Sequence, residues 1–141
     1  MRNVLFNNIG SISHCDADEL MRKMQSKRIN DEIEDTILLC EHEEVVTIGP
    51  RARNDGITPP NDYATSPVDR GGGLTWHGPG QLVVYPIIKW DLEGEANVKA
   101  VISILEQWVI DSLGQLGIEG RRDERMQGVW VGQNKICSIG L

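Results

Sequence analysis

The stretch Arg70-Gly-Gly-Gly-Leu-Thr-Trp-His-Gly-Pro-Gly-Gln81 carries more information than any other part of this chain. Five of its twelve residues are glycine, and an apolar run from Leu82 to Ile88 follows at once. Glycine adopts positive φ and lets another group come close, and such density costs conformational entropy. The pattern predicts a tight loop that delivers backbone N–H groups, Thr75 and His77 to a ligand at a sheet edge. A flexible linker with an ordinary surface histidine is the alternative.

This stretch resembles the signature of the octanoyltransferases of lipoate biosynthesis, which reads Arg-Gly-Gly-x-x-Thr-Tyr-His-Gly-Pro-Gly-Gln. Two further blocks of the chain resemble the same family in the same order. Residues Cys40–Gly49 are similar to its Glu-His-x-x-Val-x-Thr-x-Gly strand, and residues Gly128–Gly140 to its Gly-Val-(Tyr/Trp)-Val…Lys-Ile-(Ala/Cys)-Ser-(Ile/Leu)-Gly hairpin. Trp76 stands where tyrosine is usual. Since tryptophan keeps a large ring with one polar donor, we expect little loss.

Composition limits the class of protein. The chain has 141 residues, 40% apolar and 25% charged, and is predicted to form one domain over residues 1–141. No apolar run is long enough to span a membrane and no signal peptide is evident, so we expect no membrane partner. A net charge of −7 argues against nucleic acid. The basic clusters at 51–53 and 121–125 could meet an acidic carrier protein or be solvated surface.

The three cysteines, Cys15, Cys40 and Cys137, have no metal-like spacing. Their odd number fits a reduced, cytoplasmic setting. Cys40 lies in an apolar run and is predicted to be a small buried residue. We therefore expect no metal and no disulfide framework.

Periodicity predicts the elements. Helical spacing indicates a packing helix over about residues 17–28 and a longer one that begins after Asn97 and stops at Gly117. Strands are predicted at 36–40, 45–48 and 82–88, with Pro86 marking an end, an edge or a bulge, and residues 51–67 are predicted to be loop. A hairpin follows, with strands at 128–132 and 135–141.

This order predicts an α/β (α+β) domain with a mixed sheet packed by helices. The family resemblance implies the biotin/lipoate protein ligase-like fold. It also implies transfer of an octanoyl group from octanoyl-acyl carrier protein to a lysine of a lipoyl domain, through a cysteine thioester. The implied acceptors are the lipoyl domains of 2-oxoacid dehydrogenases and the glycine-cleavage H protein. No cofactor is expected, because a thioester donor is already activated, and we expect a monomer.

The resemblance assigns roles to two groups of residues. It places Lys135 as the group that lowers the pKa of the acyl-carrying thiol; a solvated hairpin lysine is the alternative. It implies a substrate-binding wall along the signature and an opposite wall in the hairpin: Arg70, Gly71, Gly72, Gly73, Leu74, Thr75, Trp76 and His77, then Ser138, Ile139 and Gly140. His77 would either orient the site or hydrogen-bond the thioester.

The nucleophile is the missing part. Cys137 lies two residues from Lys135, and spacing alone would nominate the two as a pair. In the family this position is alanine or cysteine, and the acyl-carrying cysteine lies in a later Asn-Pro-Cys-Gly-like segment. None of the three cysteines matches that segment, so we expect the catalytic cysteine to be absent from these 141 residues.

The end of the chain suggests the same interpretation. An apolar strand from Ile136 to Leu141 would stop abruptly with an exposed edge. A fragment of an active enzyme, a function split over two chains, and a degenerate acyl-binding relative all remain open, and we favour the fragment. Two other function classes also remain: a non-catalytic module that binds an acyl chain or a lipoyl domain, and a lipoate or biotin protein ligase of the same fold.

Overall fold

The computed structural model describes residues 2–141. The chain forms two compact units, one up to Lys89 and one from Trp90 to Leu141. The first contains β1 (Leu5–Ile12), α1 (His14–Ile29), β2 (Thr36–His42), β3 (Val45–Ile48), α2 (Pro50–Asn54), β4 (Thr65–Pro67), β5 (Leu74–His77) and β6 (Val83–Ile87). The second contains α3 (Val98–Gln115), β7 (Arg121–Asp123), β8 (Met126–Val131) and β9 (Asn134–Cys137). No helix in the described part is both long and apolar enough to cross a membrane.

Two three-stranded sheets build the first unit. In one, the order is β1-β2-β6, with β1 parallel and β6 antiparallel to β2. In the other, the order is β4-β3-β5, with β4 parallel and β5 antiparallel to β3. The predicted mixed α/β architecture is therefore confirmed. Pro86 lies on β6, an edge strand of its sheet, which is where a residue without an N–H is tolerated.

Helix α1 packs against β6 in the first unit. Its N-cap is Ser13, whose side chain accepts the Asp16 N–H, and Asp16 provides the predicted acid in the first turn. The helix buries His14 and Ala17, which are 8% and 1% exposed. The packing role predicted for this segment is confirmed, with a longer helix than the spacing indicated.

A buried carboxylate ties the elements of the first unit together. Asp35 is 6% exposed and lies immediately before β2. It accepts hydrogen bonds from Arg2 Nη1 at 2.5 Å, Arg28 Nε at 2.6 Å and the Lys89 N–H at 3.0 Å. Burial opposes ionisation of this carboxyl, but the Arg28 and Lys89 hydrogen bonds and the Arg2 charge outweigh it. The pKa of Asp35 therefore lies below its ordinary value.

In the second unit α3 packs against β8 of the antiparallel sheet β7-β8-β9. Asn97 caps the helix by accepting the Ala100 N–H, and Gly117 follows the C-cap with φ +73°. Both ends of α3 are thus where the sequence predicted them. The buried stripe contains Val101, Ile102 and Leu105, and it also contains Glu106.

Four details of the predicted fold are wrong. Residues 51–67 are not all loop, because Pro50 at the first helical position starts α2 and β4 forms beside β3. The stretch Leu74–His77 is strand β5 rather than part of a loop. The last strand ends at Cys137, so residues 138–141 do not form the predicted exposed strand. Strands β1 and β7 were not predicted.

Candidate functional site

The glycine-rich segment is seated on the end of β3. The Gly49 N–H donates to the Gly73 carbonyl at 2.9 Å, and the Arg51 N–H donates to the Gly72 carbonyl at 3.2 Å. A Cβ on Gly49 would overlap the Gly72 carbonyl oxygen, so only glycine permits this approach. The segment then enters β5, whose Thr75 and His77 pair with Thr47 and Val45 of β3. The predicted ligand-facing loop is therefore a short loop followed by a strand.

The Arg70 side chain is a cation that has no counter-ion among the described residues. Its guanidinium donates to Thr47 Oγ1 at 2.8 Å and to the Gly71 carbonyl at 3.0 Å, while Thr47 is fully buried and donates to the Thr75 carbonyl. Within residues 2–141 no carboxylate pairs with Arg70. Burial lowers the pKa of Arg70, but arginine stays charged at physiological pH. An anion at this place would complete the site.

All three histidines of the chain lie beside one another in the first unit. Ring centroids are 5.4 Å apart for His14 and His42, 6.3 Å for His14 and His77, and 5.9 Å for His42 and His77. They come from the first turn of α1, the last residue of β2 and the last residue of β5. Of the three, only His77 is predicted as a site residue from the sequence, because contacts between distant segments leave no local signal.

A hydrogen bond to the backbone fixes the His42 ring. Its Nδ1 lies 2.8 Å from the Ile12 carbonyl oxygen and must donate, so Nε2 accepts from the Tyr85 hydroxyl at 2.6 Å. Burial raises the pKa of Tyr85, so the phenol keeps its proton. His14 Nδ1 pairs with Ser66 Oγ at 2.9 Å. Tyr85 and Thr47 are further site residues that the sequence did not reveal.

His77 is oriented by Gln81. Its Nδ1 lies 2.7 Å from Gln81 Oε1, and the Gln81 amide in turn donates to the Trp76 carbonyl at 3.3 Å. Since an amide oxygen only accepts, the His77 proton lies on Nδ1 and Nε2 is left as an acceptor. No partner within the described residues occupies that nitrogen.

Trp76 and Leu74 alternate with the inward residues of β5. Trp76 is 42% exposed and its Nε1 donates to Glu44 Oε2 at 3.3 Å, so the ring lies at the surface of the first unit. Leu74 pairs with Ile48 and is half-buried. Of the predicted signature residues, the structure thus joins Arg70, Gly72, Gly73, Thr75 and His77 around β3, and it places Trp76 outward.

The second unit holds the other predicted site residues. Lys135 is half-buried on β9, and no acceptor or carboxylate among residues 2–141 pairs with its amine. Burial raises the pKa of the Cys137 thiol, which Lys135 opposes only in part. Ser138, Ile139 and Gly140 follow the end of β9.

Two of the three thiols lack the lowered pKa of an activated nucleophile. Cys40 is 2% exposed, as predicted, and burial raises its pKa. Cys137 also has a raised pKa, and Cys15 is exposed at the start of α1. Within residues 2–141 no three potential metal ligands form a group that could hold an ion.

The stability of the first unit should depend on pH, because it contains the buried His14 and the half-buried His77. Burial, then the charges of neighbouring histidines, lowers the pKa of His14; burial, and to a smaller extent Arg70 and His42, lowers that of His77. In the unfolded chain these histidines have the ordinary pKa of about 6.5. On lowering the pH, the unfolded chain therefore binds protons before the folded chain does. The stability that depends on the neutral imidazoles is fully present above that pH. We expect the free energy of unfolding to fall as the pH drops below it, until the folded-state pKa values are passed.

Denaturant unfolding at about pH 7.5 and about pH 5.5, on either side of the ordinary histidine pKa, measures this loss. The double variant His14→Gln, His77→Gln should lose less stability between the two pH values than the wild type. Asp35 titrates well below this window, so Asp35→Asn is the matched control that should retain the wild-type difference. If the histidine double variant loses as much unfolding free energy between the two pH values as the wild type does, His14 and His77 are not the cause of the pH dependence.

Comparison with known proteins then identifies the family. Residues 16–141 match the Lipoyl protein ligase A/B catalytic domain. An octanoyltransferase of Solibacter usitatus is 38% identical over the whole chain, which covers 66% of that relative. The chain belongs to the lipoyl protein ligase A/B catalytic domain family.

Further octanoyltransferases of the family agree. That of Rubrobacter xylanophilus is 42% identical over 94% of the chain and 62% of the relative. The chain thus spans a little less than two thirds of the length of the curated relatives it matches first.

Solved structures support the fold. A bipartite lipoate protein ligase from Thermoplasma acidophilum gives a TM-score of 0.61 at 15% identity, over 94% of this chain and 52% of that one. A lipoate-protein ligase A bound with ATP gives 0.59 at 15% identity, over 95% and 58%. At this identity the likeness confirms the predicted ligase-like fold and no more.

Proposed function

We propose that this chain serves octanoyl transfer in protein lipoylation. The donor would be octanoyl-acyl carrier protein, and the acceptor a lysine on a lipoyl domain of a 2-oxoacid dehydrogenase or on the glycine-cleavage H protein. The observation that carries the proposal is the uncompensated Arg70 cation, held by Thr47 and the Gly71 carbonyl. The octanoyltransferases at 37–42% identity support it.

The cation suits the chemistry of a thioester carbonyl. When a nucleophile adds to that carbon, negative charge develops on the oxygen. A donor that is already fixed and partly desolvated stabilises this charge without reorganisation. Arg70 meets both conditions, because it is held by Thr47 and the Gly71 carbonyl and is half-buried.

His77 would act as an acceptor. Its Nδ1–H donates a hydrogen bond to Gln81 Oε1, so Nε2 carries no proton that could be donated to the thioester carbonyl. Nε2 can instead accept a hydrogen bond, either from an N–H of the prosthetic arm of the acyl carrier or from the incoming amine. Of the two roles open from sequence, orienting the site is the one this tautomer supports.

Lys135 would supply charge and a proton acceptor. An ammonium near a thiol favours the thiolate, which attacks the octanoyl thioester and releases the carrier's thiol. The departing carrier thiolate takes a proton from the Lys135 ammonium, which leaves Lys135 as a neutral amine. The amine of the acceptor lysine then attacks the new thioester and forms the amide. The enzyme's thiolate leaves, and the Lys135 amine takes the proton that the acceptor nitrogen loses. We propose that the thiol is supplied outside these 141 residues, since none of the three cysteines matches the family's segment.

Mass spectrometry after incubation with octanoyl-carrier protein tests this function. The product of the complete reading frame should gain one octanoyl group on a cysteine and pass it to a lipoyl domain. The 141-residue chain alone should gain none. Acylation of Cys137 in the short chain would contradict the thiol assignment, and failure of the complete product to take up or transfer octanoate would contradict the function.

A non-catalytic acyl-binding module is the second candidate, favoured by the raised pKa of Cys40 and Cys137. Native mass spectrometry would then show the acylated carrier bound to the complete product without any transfer. A ligase activity would instead require ATP and label the lipoyl domain from free octanoate. We expect neither result.

A further inference from the structure

Glu106 is a buried carboxylate on the apolar stripe of α3. It is 7% exposed, beside Ile102 and Leu105 at 8% each. Its Oε2 accepts from Arg122 Nε at 3.1 Å, and its Oε1 accepts from the Gly128 N–H at 2.9 Å. An apolar residue would pack this position without the cost of burying a charge. The carboxylate is therefore placed where it holds one backbone N–H of β8.

The Lys135 side chain packs against the Cα of Gly128. Its φ is +123°, which residues with a Cβ rarely adopt. A Cβ there would overlap the Cys137 carbonyl oxygen and lie 2.5 Å from Lys135 Cε and 3.3 Å from Nζ. The bare Cα of this glycine thus leaves a groove that the lysine stem fills.

Nothing else in the described second unit holds the Lys135 amine. It has no hydrogen-bond acceptor and no ion-pair partner there. Its stem packs on Gly128, whose N–H is held by Glu106 and whose strand β8 is also paired with β7 and β9. The charge of Glu106 also reaches this strand, since it contributes to the raised pKa of Cys137.

We infer that Glu106 is a positioning residue, which holds the Lys135 amine in place through the Gly128 N–H. The inference rests on the proposed role of Lys135 in thiol activation. Glu106 itself contacts neither the thiol nor the acyl group. Its contribution is geometric: by accepting the Gly128 N–H it fixes the orientation of that peptide beside the irregular point of the β8–β9 pairing, and with it the bare Cα on which the lysine stem packs.

Nuclear magnetic resonance of the 141-residue chain tests the geometry without catalysis. The wild type should show a nuclear Overhauser effect between Gly128 Hα and Lys135 Hε. Glu106→Gln keeps an oxygen that can accept the Gly128 N–H and should retain the effect, whereas Glu106→Leu should lose it and shift the Gly128 amide proton upfield. Glu119→Gln, an exposed glutamate of the same unit, is the control and should match the wild type.

Kinetics of the complete gene product adds a functional readout. Glu106→Leu should lower kcat about tenfold, or ~1.4 kcal/mol of transition-state stabilisation, with KM for the octanoyl donor nearly unchanged. Glu106→Gln should restore most of kcat. If Glu106→Leu does not fold, the Gln variant decides: retained kcat with the retained Overhauser effect supports positioning, and a tenfold fall with the effect intact overturns it.

The two proposals fail separately. Absence of the Gly128–Lys135 Overhauser effect in the wild type, or its survival in folded Glu106→Leu, overturns the positioning inference whatever the enzyme does. Absence of octanoyl transfer by the wild-type complete product overturns the proposed function, while the resonance comparison still decides whether Glu106 positions Lys135.

Discussion

Lys135→Met in the complete gene product is expected to lower octanoyl transfer by ~10²–10⁴-fold, the range attributed to a positioned acid–base group. The methionine stem can still lie across Gly128, so the fold should hold. The substitution removes an amino group that has no counter-ion in the described second unit. As an ammonium this group would favour the thiolate, and as a neutral amine it would later accept a proton. Steady-state transfer from octanoyl-carrier protein to a lipoyl domain measures the loss.

Lys135→Arg separates the two uses of that amine. Arginine keeps the positive charge but does not give up a proton near neutral pH. Formation of the acyl-enzyme should therefore survive better than transfer to the acceptor, which single-turnover mass spectrometry resolves. Lys99→Met, at an exposed position of α3 in the same unit, is the matched control and should transfer normally. Normal turnover by Lys135→Met would remove the lysine from the mechanism.

The elements that could be predicted are those specified by local sequence. Helix α3 begins at the Asn97 cap and is followed by Gly117, because capping and positive φ are properties of single residues. The strands at 36–40 and 45–48 are short, mostly apolar stretches with one threonine each, and both formed. The family match rested on motifs of the same local kind.

What could not be predicted depends on contacts between distant segments. Strand β1 is largely exposed and carries two adjacent asparagines, so its pattern is weak, and pairing with β2 creates it. Pairing with β3 likewise turns Leu74–His77 into a strand after a run of glycines. His14, His42 and Glu106 had no signal of their own. Their partners lie 52, 43 and 22 positions away in Ser66, Tyr85 and Gly128.

Arg70→Gln is the second change with a large expected effect. Loss of a preorganised donor to a developing oxyanion costs about 10²–10³ in kcat, and Arg70 is the one predicted substrate residue that carries a fixed charge. Glutamine can still donate to Thr47 Oγ1, so the attachment of this segment to β3 should be retained. We expect kcat of the complete product to fall with a smaller change in KM. Arg22→Gln, which removes an exposed arginine paired with Asp18 and Asp69, is the control.

Binding to the 141-residue chain isolates the charge from the chemistry. A cation without a carboxylate partner should favour octanoate over octanamide, because only the acid brings the missing negative charge. A hydrogen bond to a charged group contributes about 1.5–3 kcal/mol, so Arg70→Gln should erase most of that preference while leaving octanamide binding alone. Titration calorimetry measures both ligands. If the wild-type chain binds octanamide as tightly as octanoate, Arg70 does not face the acyl carbonyl, and its hydrogen bonds to Thr47 and Gly71 serve the fold alone.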